Sequence, residues 1–368
     1  MPEISVPTPT GAAGGPAATA SHHQRPLSAY TTLRLGGPAD RFVVATTSDG
    51  VIDAVRDCDR LGVPLLLLGG GSNLVVADDG FRGTVVQVAS TGIGVARSAD
   101  ELVELRVAAG QPWDAVVSRS VAEGWAGVEA LSGIPGSTGA TPMQNVGAYG
   151  QEVAETITSV RAWDRQDARV RTLGSADCEF AYRSSRLKAD RFRGGPRFVV
   201  LEVTFRLRAG ASPSAVRYAE LARALGVEVG GRAGPAAVRQ AVLELRRGKG
   251  MVLDDGDHDT WSAGSFFTNP ILAADRAALL PAGAPSWPAG EGLVKTSAAW
   301  LIEHAGFGKG YGLPGPVSLS TKHTLALTNR GPATTADLLA LARELQDGVR
   351  AAFGVELLPE PTLIGCSL

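Results

Sequence analysis

An excess of charge of either sign is missing from this sequence. Its 368 residues include 35 Lys and Arg against 37 Asp and Glu, a formal net charge of −2. Surfaces that bind nucleic acid need a clear basic excess. The composition therefore argues against a nucleic-acid partner, and a phosphate-bearing ligand would have to meet a local group of cations.

Cysteine and long apolar runs are also scarce. The three cysteines, Cys58, Cys178 and Cys366, match no metal or redox spacing, so we expect no metal site and a reducing, cytoplasmic location. No apolar run approaches the ~18 residues of a membrane span, because glycine or charge interrupts each one. Residues 1–25 are rich in Pro, Gly, Ala and Thr and lack the features of a signal peptide, so we predict a disordered tail.

Glycine, by contrast, is concentrated in two segments. Residues 133–152 contain five glycines and almost no charge, with Gln144 and Asn145 among them. A second segment, Gly69-Gly-Gly-Ser-Asn73, lies between a predicted buried strand over 63–68 and an apolar run over 74–77. Glycine lets backbone N–H groups approach an anion such as a pyrophosphate. Either segment alone could be an ordered surface loop, but the pair favours a dinucleotide cofactor.

Four stretches resemble the flavin-binding segments of the UDP-N-acetylenolpyruvoylglucosamine reductase family, MurB. They are Tyr30-Thr-Thr-Leu-Arg-Leu-Gly-Gly-Pro-Ala39, Leu68-Gly-Gly-Gly-Ser-Asn73, Gly133-Ile-Pro-Gly136 and Gln144-Asn-Val-Gly-Ala-Tyr-Gly150. The resemblance implies an α+β fold: an FAD-binding domain of the vanillyl-alcohol-oxidase (PCMH) type in two α/β lobes, plus a C-terminal α+β substrate-binding domain. It implies FAD contacts from Gly69, Gly70, Gly71, Ser72, Asn73, Gly133, Ile134, Pro135, Gly136, Gly139, Gln144, Asn145, Gly147, Ala148 and Tyr149.

The chain is predicted to divide into three parts after the tail. Residues 26–89 are the first lobe, completed by a C-terminal strand within 355–368. Residues 90–250 are the second lobe, and we expect the flavin between the two. Residues 251–354 form the domain that binds a UDP-sugar substrate.

Apolar periodicity predicts three helices of particular use. One covers 51–61 with Ser48 as its N-cap, one covers 214–225 and contains Tyr218, and a long amphipathic one covers 335–353. Gly354 ends the last, and a final strand over 355–364 is expected to return to the first lobe.

Three residues resemble the catalytic set of the family. Arg183 lies in Tyr182-Arg-Ser-Ser, and its guanidinium fork suits a carboxylate. Ser265, in Gly-Ser-Phe-Phe, matches the serine that protonates the substrate carbon, although Thr268 stands where the family has lysine. Glu360, between two prolines, matches the catalytic glutamate. Each has a structural alternative: a surface arginine, a turn-capping serine and a strand-edge glutamate.

Substrate contacts are also implied by the resemblance. The UDP-sugar would be met by Tyr182, Tyr218, Lys249, Asn269, Lys295 and Lys322. Tyr218 resembles the tyrosine that closes over the substrate in type I enzymes. Each lysine could equally be a solvated surface residue.

The resemblance implies an FAD-dependent oxidoreductase. Its reaction would be the NADPH-dependent reduction of UDP-N-acetylglucosamine enolpyruvate to UDP-N-acetylmuramate in peptidoglycan precursor synthesis. NADPH would reduce FAD and leave before the substrate enters. We expect a monomer without a membrane or nucleic-acid partner. Two alternatives stay open: an oxidase of small alcohols that uses oxygen, and a flavin- or nucleotide-sugar-binding regulator without turnover.

Overall fold

The computed structural model describes residues 19–97, 101–210 and 213–368. The helices in these ranges are α1 (Ser48–Leu61), α2 (Trp113–Ala122), α3 (Arg186–Ala189), α4 (Ala219–Leu225), α5 (Pro235–Gly248), α6 (Ala274–Ala277), α7 (Ala298–His304) and α8 (Thr335–Phe353). The strands up to the end of the second lobe are β1 (Thr19–Pro26), β2 (Pro38–Ala45), β3 (Leu65–Leu68), β4 (Leu74–Val76), β5 (Phe81–Val88), β6 (Ile93–Arg97), β7 (Leu102–Ala108), β8 (Gly147–Ala148), β9 (Gln151–Glu152), β10 (Ile157–Asp164), β11 (Arg169–Gly174), β12 (Arg191–Phe192), β13 (Gly195–Pro196), β14 (Phe198–Arg208), β15 (Ser214–Ala215) and β16 (Arg232–Ala233). The remaining strands are β17 (Ile271–Ala273), β18 (Ser286–Pro288), β19 (Leu293–Thr296), β20 (Val317–Leu319), β21 (Leu327–Asn329) and β22 (Thr362–Ile364).

The first lobe is built on a four-stranded sheet in the order β1-β2-β5-β3. Strands β2, β5 and β3 run parallel, and α1 covers them with Val51 and Val55, both fully buried. The helix ends at Gly62, whose φ of 67° is left-handed and suits glycine. The predicted helix is confirmed, but its N-cap is Thr47, whose side chain accepts from the Gly50 amide, and not Ser48.

Residues 19–25 correct the prediction of a disordered tail. They belong to β1, which pairs antiparallel with β2 from Thr19 opposite Ala45 to Pro26 opposite Pro38. Most side chains of β1 are exposed, so backbone hydrogen bonds hold this edge strand and composition gives no sign of it. The rest of the predicted tail, residues 1–18, lies outside the described residues.

The second lobe contains a five-stranded antiparallel sheet in the order β11-β10-β14-β7-β6. Trp113 on α2 is buried in its core against Phe205. Trp163 and Leu201 on this sheet also pack into the core of the first lobe. The 2% exposed Arg165 pairs with Asp59 of α1 at 2.7 Å. Shared apolar contacts and a shielded ion pair therefore join the lobes.

The predicted helix over 214–225 is wrong in its first half. Residues Ser214–Ala215 form β15, which pairs with β16, and α4 begins only at Ala219. Tyr218 is the N-cap residue with extended backbone angles. Val216 and Tyr218 favour extended backbone over helix, and tertiary pairing with β16 determines the outcome.

The C-terminal domain packs α7 and α8 around the β20-β21 hairpin, beside the three-stranded sheet β17-β19-β18. The long helix has the predicted bounds, with a capping box between Thr334 and Asp337 and with Gly354 at its end. Leu33, Leu35 and Val75 of the first lobe belong to the same apolar core. The domain is therefore anchored directly on the first lobe.

The chain end corrects another prediction. The expected strand over 355–364 is limited to Thr362–Ile364, which runs parallel to β4 and so does return to the first lobe. Val355 and Leu357 instead fill the core of the C-terminal domain. Pro359 and Pro361 cannot donate to a continuous strand ladder, which explains the short strand.

Candidate active site

The two glycine segments lie against each other. A Cβ added to Gly70 would lie 2.5 Å from the Gly136 Cα. One added to Gly71 would lie 1.7 Å from the carbonyl oxygen of Tyr30, which belongs to neither segment. The Ser72 hydroxyl donates to the Pro135 carbonyl at 3.2 Å. Residues with a side chain could not pack this closely, so the glycines are required where the segments meet.

Within the glycine segment over residues 133–152, several groups already bond or pack inside the protein. The Gly133 amide donates to the Asp114 carboxylate at 2.6 Å, and the Gly139 amide donates to the Ala109 carbonyl at 2.7 Å. The buried Asn145 side chain donates to Glu152 at 2.7 Å. Ile134 and Ala148 pack against the core of the second lobe, and Gly147 and Ala148 form β8. These residues shape the segment, and their groups are committed within the protein.

Four polar side chains from distant parts of the chain form a connected cluster. The Glu360 carboxylate lies 3.0 Å from the Arg183 Nε and accepts from the Gln144 amide at 3.4 Å. Asn73, at the end of the Gly69–Asn73 segment, donates to the Gln144 side chain at 3.0 Å. The structure thus joins two predicted catalytic residues to one side chain from each glycine segment.

The electrostatic state of Glu360 follows from its position. Burial raises the pKa of its carboxyl group, and the positive charges of Arg183 and Lys188 act in the opposite direction. Lys188 was not among the predicted residues. Its Nζ donates to the Arg183 carbonyl at 3.3 Å, and burial lowers the pKa of its ammonium group. A carboxyl group with a raised pKa can keep its proton closer to neutral pH.

Arg183 is held in an uncommon conformation. Its φ is 53°, a left-handed value that costs energy in a residue with a side chain. The neighbouring Ser185 hydroxyl donates to the Met143 carbonyl at 2.6 Å, and Ala181 forms a β-bridge with Ser184. The surrounding contacts therefore enforce the turn that directs Arg183 towards Glu360.

Ser265 lies on the segment that pairs with the chain around Glu360. The Glu360 amide donates to the Phe266 carbonyl at 2.9 Å, and the Thr268 amide donates to the Leu358 carbonyl at 3.0 Å. Phe266 and Phe267 are buried and anchor the segment, whereas Ser265 is half-buried. Thr268 also directs its hydroxyl to the Leu358 carbonyl, which gives this residue a structural role.

Two groups of predicted substrate residues are assembled around tyrosines. Tyr149 and Tyr218 meet edge to face at 5.6 Å, and the Lys249 Nζ lies 5.7 Å from the Tyr149 ring centroid. In the second group, the Lys295 Nζ lies 4.8 Å from the ring centroid of Tyr182. Burial raises the pKa of the Tyr182 hydroxyl.

Acidic partners occupy two of the predicted substrate lysines. Lys249 pairs with Glu220 at 2.6 Å, and Lys322 pairs with Asp257 at 2.5 Å. The Asn269 side-chain oxygen accepts from the Ala298 amide at the start of α7. Phosphate would have to compete with the carboxylates for both lysines.

A cavity of about 510 Å³ lies between the first lobe and the C-terminal domain. Gly69 and Gly70 form part of its wall, together with Tyr30, Thr32 and Trp261. The described residues contain no group of three or more His, Cys, Asp or Glu placed to hold a metal ion. No helix in those residues is long and apolar enough to cross a membrane.

Comparisons with known proteins identify both halves of the chain. Residues 39–174 match the FAD binding domain model, and residues 256–364 match the model for the UDP-N-acetylenolpyruvoylglucosamine reductase C-terminal domain. The reductase of that name from Thermobifida fusca is 57% identical over 353 residues, covering 93% of this chain and 98% of the relative. The one from Saccharopolyspora erythraea is 58% identical over 355 residues, covering 93% and 95%.

The chain belongs to the UDP-N-acetylenolpyruvoylglucosamine reductase family. A MurB crystal structure from Thermus caldophilus has the same fold, with a TM-score of 0.63 at 22% identity, covering 94% of this chain and 99% of that one. The predicted family, α+β fold class and FAD cofactor are thereby confirmed.

The residues present fit the family's cofactor. Gly70 and Gly136 approach each other too closely for a Cβ, and Gly69 and Gly70 line the cavity. The Trp261 Nε1–H is buried without a hydrogen-bond partner in the described part of the chain. Unpaired buried donors are uncommon in folded proteins, and a bound ligand is one way to satisfy them.

Sequence reasoning missed three residues around the reductase site: Lys188, Glu220 and Trp261. Lys188 lies five residues after Arg183, in a segment that the sequence had already singled out. Glu220 and Trp261 acquire their neighbours only through tertiary contacts.

Proposed function

We propose that this chain catalyses the NADPH-dependent reduction of UDP-N-acetylglucosamine enolpyruvate to UDP-N-acetylmuramate. Membership of the reductase family supports the reaction class. The observation that carries the residue assignment is the cluster in which Arg183, Glu360 and Gln144 meet beside the segment of Ser265. When bound, FAD supplies the hydride that adds to the terminal carbon of the enolpyruvyl group.

In this proposal, Arg183 holds the substrate carboxylate. Hydride addition pushes negative charge onto the adjacent carbon and its carboxylate, so a cation placed there stabilises the developing enolate. A guanidinium contacts a carboxylate through two parallel hydrogen bonds, which an ammonium group cannot do. The left-handed turn at residue 183 supports the assignment, because strained backbone is concentrated at functional sites.

We assign Ser265 as the donor of the proton that the substrate carbon receives. Its hydroxyl becomes an alkoxide in that step and regains a proton from solvent or a neighbour, so the substrate gains one hydride and one proton. Glu360 assists in its protonated form by donating a hydrogen bond to the enolate. The raised pKa of this carboxyl group supports that role.

In this proposal, the predicted lysines, tyrosines and Asn269 around the catalytic cluster bind the UDP-sugar. Lys249 and Lys322 would exchange their carboxylate partners for substrate phosphate, while Tyr218 and Lys295 would border the sugar-diphosphate. Tyr218 is 45% exposed at the start of a short helix, which leaves room for it to close over the substrate. Tyr182 and Asn269 complete this predicted set.

We further propose that the enzyme works as a monomer in the cytoplasm. All three cysteines are free, and Cys58 and Cys178 are buried, as expected of a protein from a reducing compartment.

The test of the function is an anaerobic visible spectrum of the purified protein. NADPH should bleach the flavin band, and UDP-N-acetylglucosamine enolpyruvate should restore it. If the bleached band returned only after admission of oxygen, the enolpyruvyl substrate would be wrong and an oxidase would be favoured. If NADPH and substrate both left the oxidised band unchanged, the proposed turnover would be refuted.

A further inference from the structure

The cavity beside Gly69 and Gly70 has one wall that no glycine segment supplies. Trp261 belongs to the C-terminal domain, yet it lines this cavity opposite Tyr30 and Thr32 of the first lobe. The two sides are tied together here, because the Thr32 hydroxyl donates to the Ser262 carbonyl at 2.7 Å. A ligand in the cavity would therefore contact both parts of the chain.

The indole of Trp261 carries an unsatisfied donor. Its Nε1 is buried, and no acceptor among the described residues is within hydrogen-bond reach. A buried donor without an acceptor destabilises the folded chain, so such groups are usually paired with a protein acceptor, a ligand or water. An acceptor atom of a ligand in the adjoining cavity would satisfy it.

The ring of Trp261 is fixed from two sides. The Arg34 guanidinium lies over it, 3.9 Å from the ring centroid, and the His258 ring meets it edge to face at 4.2 Å. Arg34 is itself paired with Asp255 at 2.5 Å. The indole is thus held in place before any ligand arrives, which lowers the entropy lost on binding.

The cavity shares Gly69 and Gly70 with the proposed flavin site. The five-residue segment from Gly69 to Asn73 begins at the cavity wall and ends at the cluster of Gln144 and Glu360. An elongated ligand that lies along this segment reaches both places. FAD has that shape, and it is rich in hydrogen-bond acceptors.

We propose that Trp261 is an FAD-binding residue that the C-terminal domain supplies, donating its indole N–H to the cofactor, and that Arg34 positions its ring. This inference rests on the proposed placement of FAD along the Gly69–Asn73 segment. It assigns a cofactor contact outside the FAD binding domain and makes cofactor binding dependent on the docking of the C-terminal domain.

The test measures FAD affinity without turnover. Flavin is removed from the full-length protein, and FAD is titrated back while its fluorescence is followed. Trp261→Phe keeps an aromatic ring but lacks the N–H group, and it should raise the Kd for FAD about three- to tenfold. Trp287→Phe is the matched control, because Trp287 is 46% exposed on β18 and should leave the Kd unchanged.

Arg34→Met separates positioning from direct contact. It removes the cation over the ring and should weaken FAD binding, but it should add little when combined with Trp261→Phe, because both act through one hydrogen bond. Fully additive losses would contradict the positioning role. An unchanged Kd in Trp261→Phe would overturn the inference and leave the proposed function standing, whereas failure of the unaltered protein to bind FAD would overturn both.

Discussion

Gly70→Ala should damage the cofactor site through one methyl group. The backbone φ at Gly70 is not left-handed, so the substitution introduces no conformational strain of that kind. Its Cβ, however, would lie 2.5 Å from the Gly136 Cα and 2.9 Å from the Gly136 carbonyl carbon. Both neighbours are backbone atoms, which cannot rotate away as the end of a side chain can.

The size of the effect follows from these distances. Carbon atoms prefer separations of about 3.5–4.0 Å, so the two glycine segments would have to move apart by roughly 1 Å. Overpacking of this kind typically costs about 1–3 kcal/mol of stability. The cavity wall moves with the segment, so we expect FAD affinity to fall at least about tenfold, a loss of ~1.4 kcal/mol of binding free energy.

Two measurements check this prediction: the Kd for FAD by fluorescence titration, and the midpoint of thermal unfolding with and without FAD. Gly248→Ala is the control, because a Cβ at Gly248 meets nothing within 4 Å and this glycine lies at the end of α5. Wild-type FAD affinity and an unchanged midpoint in Gly70→Ala would refute the reasoning that direct contact between the two segments builds the cofactor site.

Three further predictions concern Ser265, Glu360 and the buried carboxylate of Asp259. Ser265→Ala should leave NADPH-driven flavin reduction nearly intact and slow flavin reoxidation by the enolpyruvyl substrate by orders of magnitude, both measured by stopped flow. An equal loss of rate in the two half-reactions would contradict the role of Ser265. Glu360→Gln keeps a hydrogen-bond donor, so it should retain more of the rate of the second half-reaction than Glu360→Ala. In the wild type, this rate should fall as pH rises through the raised pKa of Glu360. A pH-independent rate and equal losses in the two variants would argue against a protonated donor. Burial favours a higher pKa for Asp259, but hydrogen bonds from Thr321 and Arg330 outweigh it and lower that pKa, so its stabilisation is present above pH ~4 and lost in more acidic solution. Asp259→Asn should therefore unfold at lower denaturant concentration than wild type at pH 7, with the difference shrinking towards pH 3; a constant difference would exclude the charge as its source.

Much of the architecture was predictable from local patterns. The long helix α8 has the bounds that apolar periodicity and Gly354 predict, because one face of its leucines must be buried. Strand β1 and the extended start of the 214–225 segment were missed for the opposite reason. Their structure depends on backbone pairing with distant strands, which leaves little trace in side-chain composition.

The sequence indicated candidate residues for the site one by one, but not their arrangement in space. The resemblance to the reductase family identified Arg183, Ser265 and Glu360 as separate candidates. Only the fold brings Glu360 to Arg183 and to the Gln144–Asn73 pair. The sequence also did not predict the ion pair between Lys249 and Glu220, or the hydrogen bonds that the backbone amides of Gly133 and Gly139 donate within the protein.

The sequence by itself determined the family, the cofactor class and the main helices. These features depend on residue type and on spacing over short distances, and both can be read along the chain. Tertiary structure alone decided which charges are paired and that the carboxyl group of Glu360 is buried. It also decided that Trp261 lines the cavity between the first lobe and the C-terminal domain. Such properties arise from groups far apart in sequence, since burial and electrostatic interaction depend on distance in space.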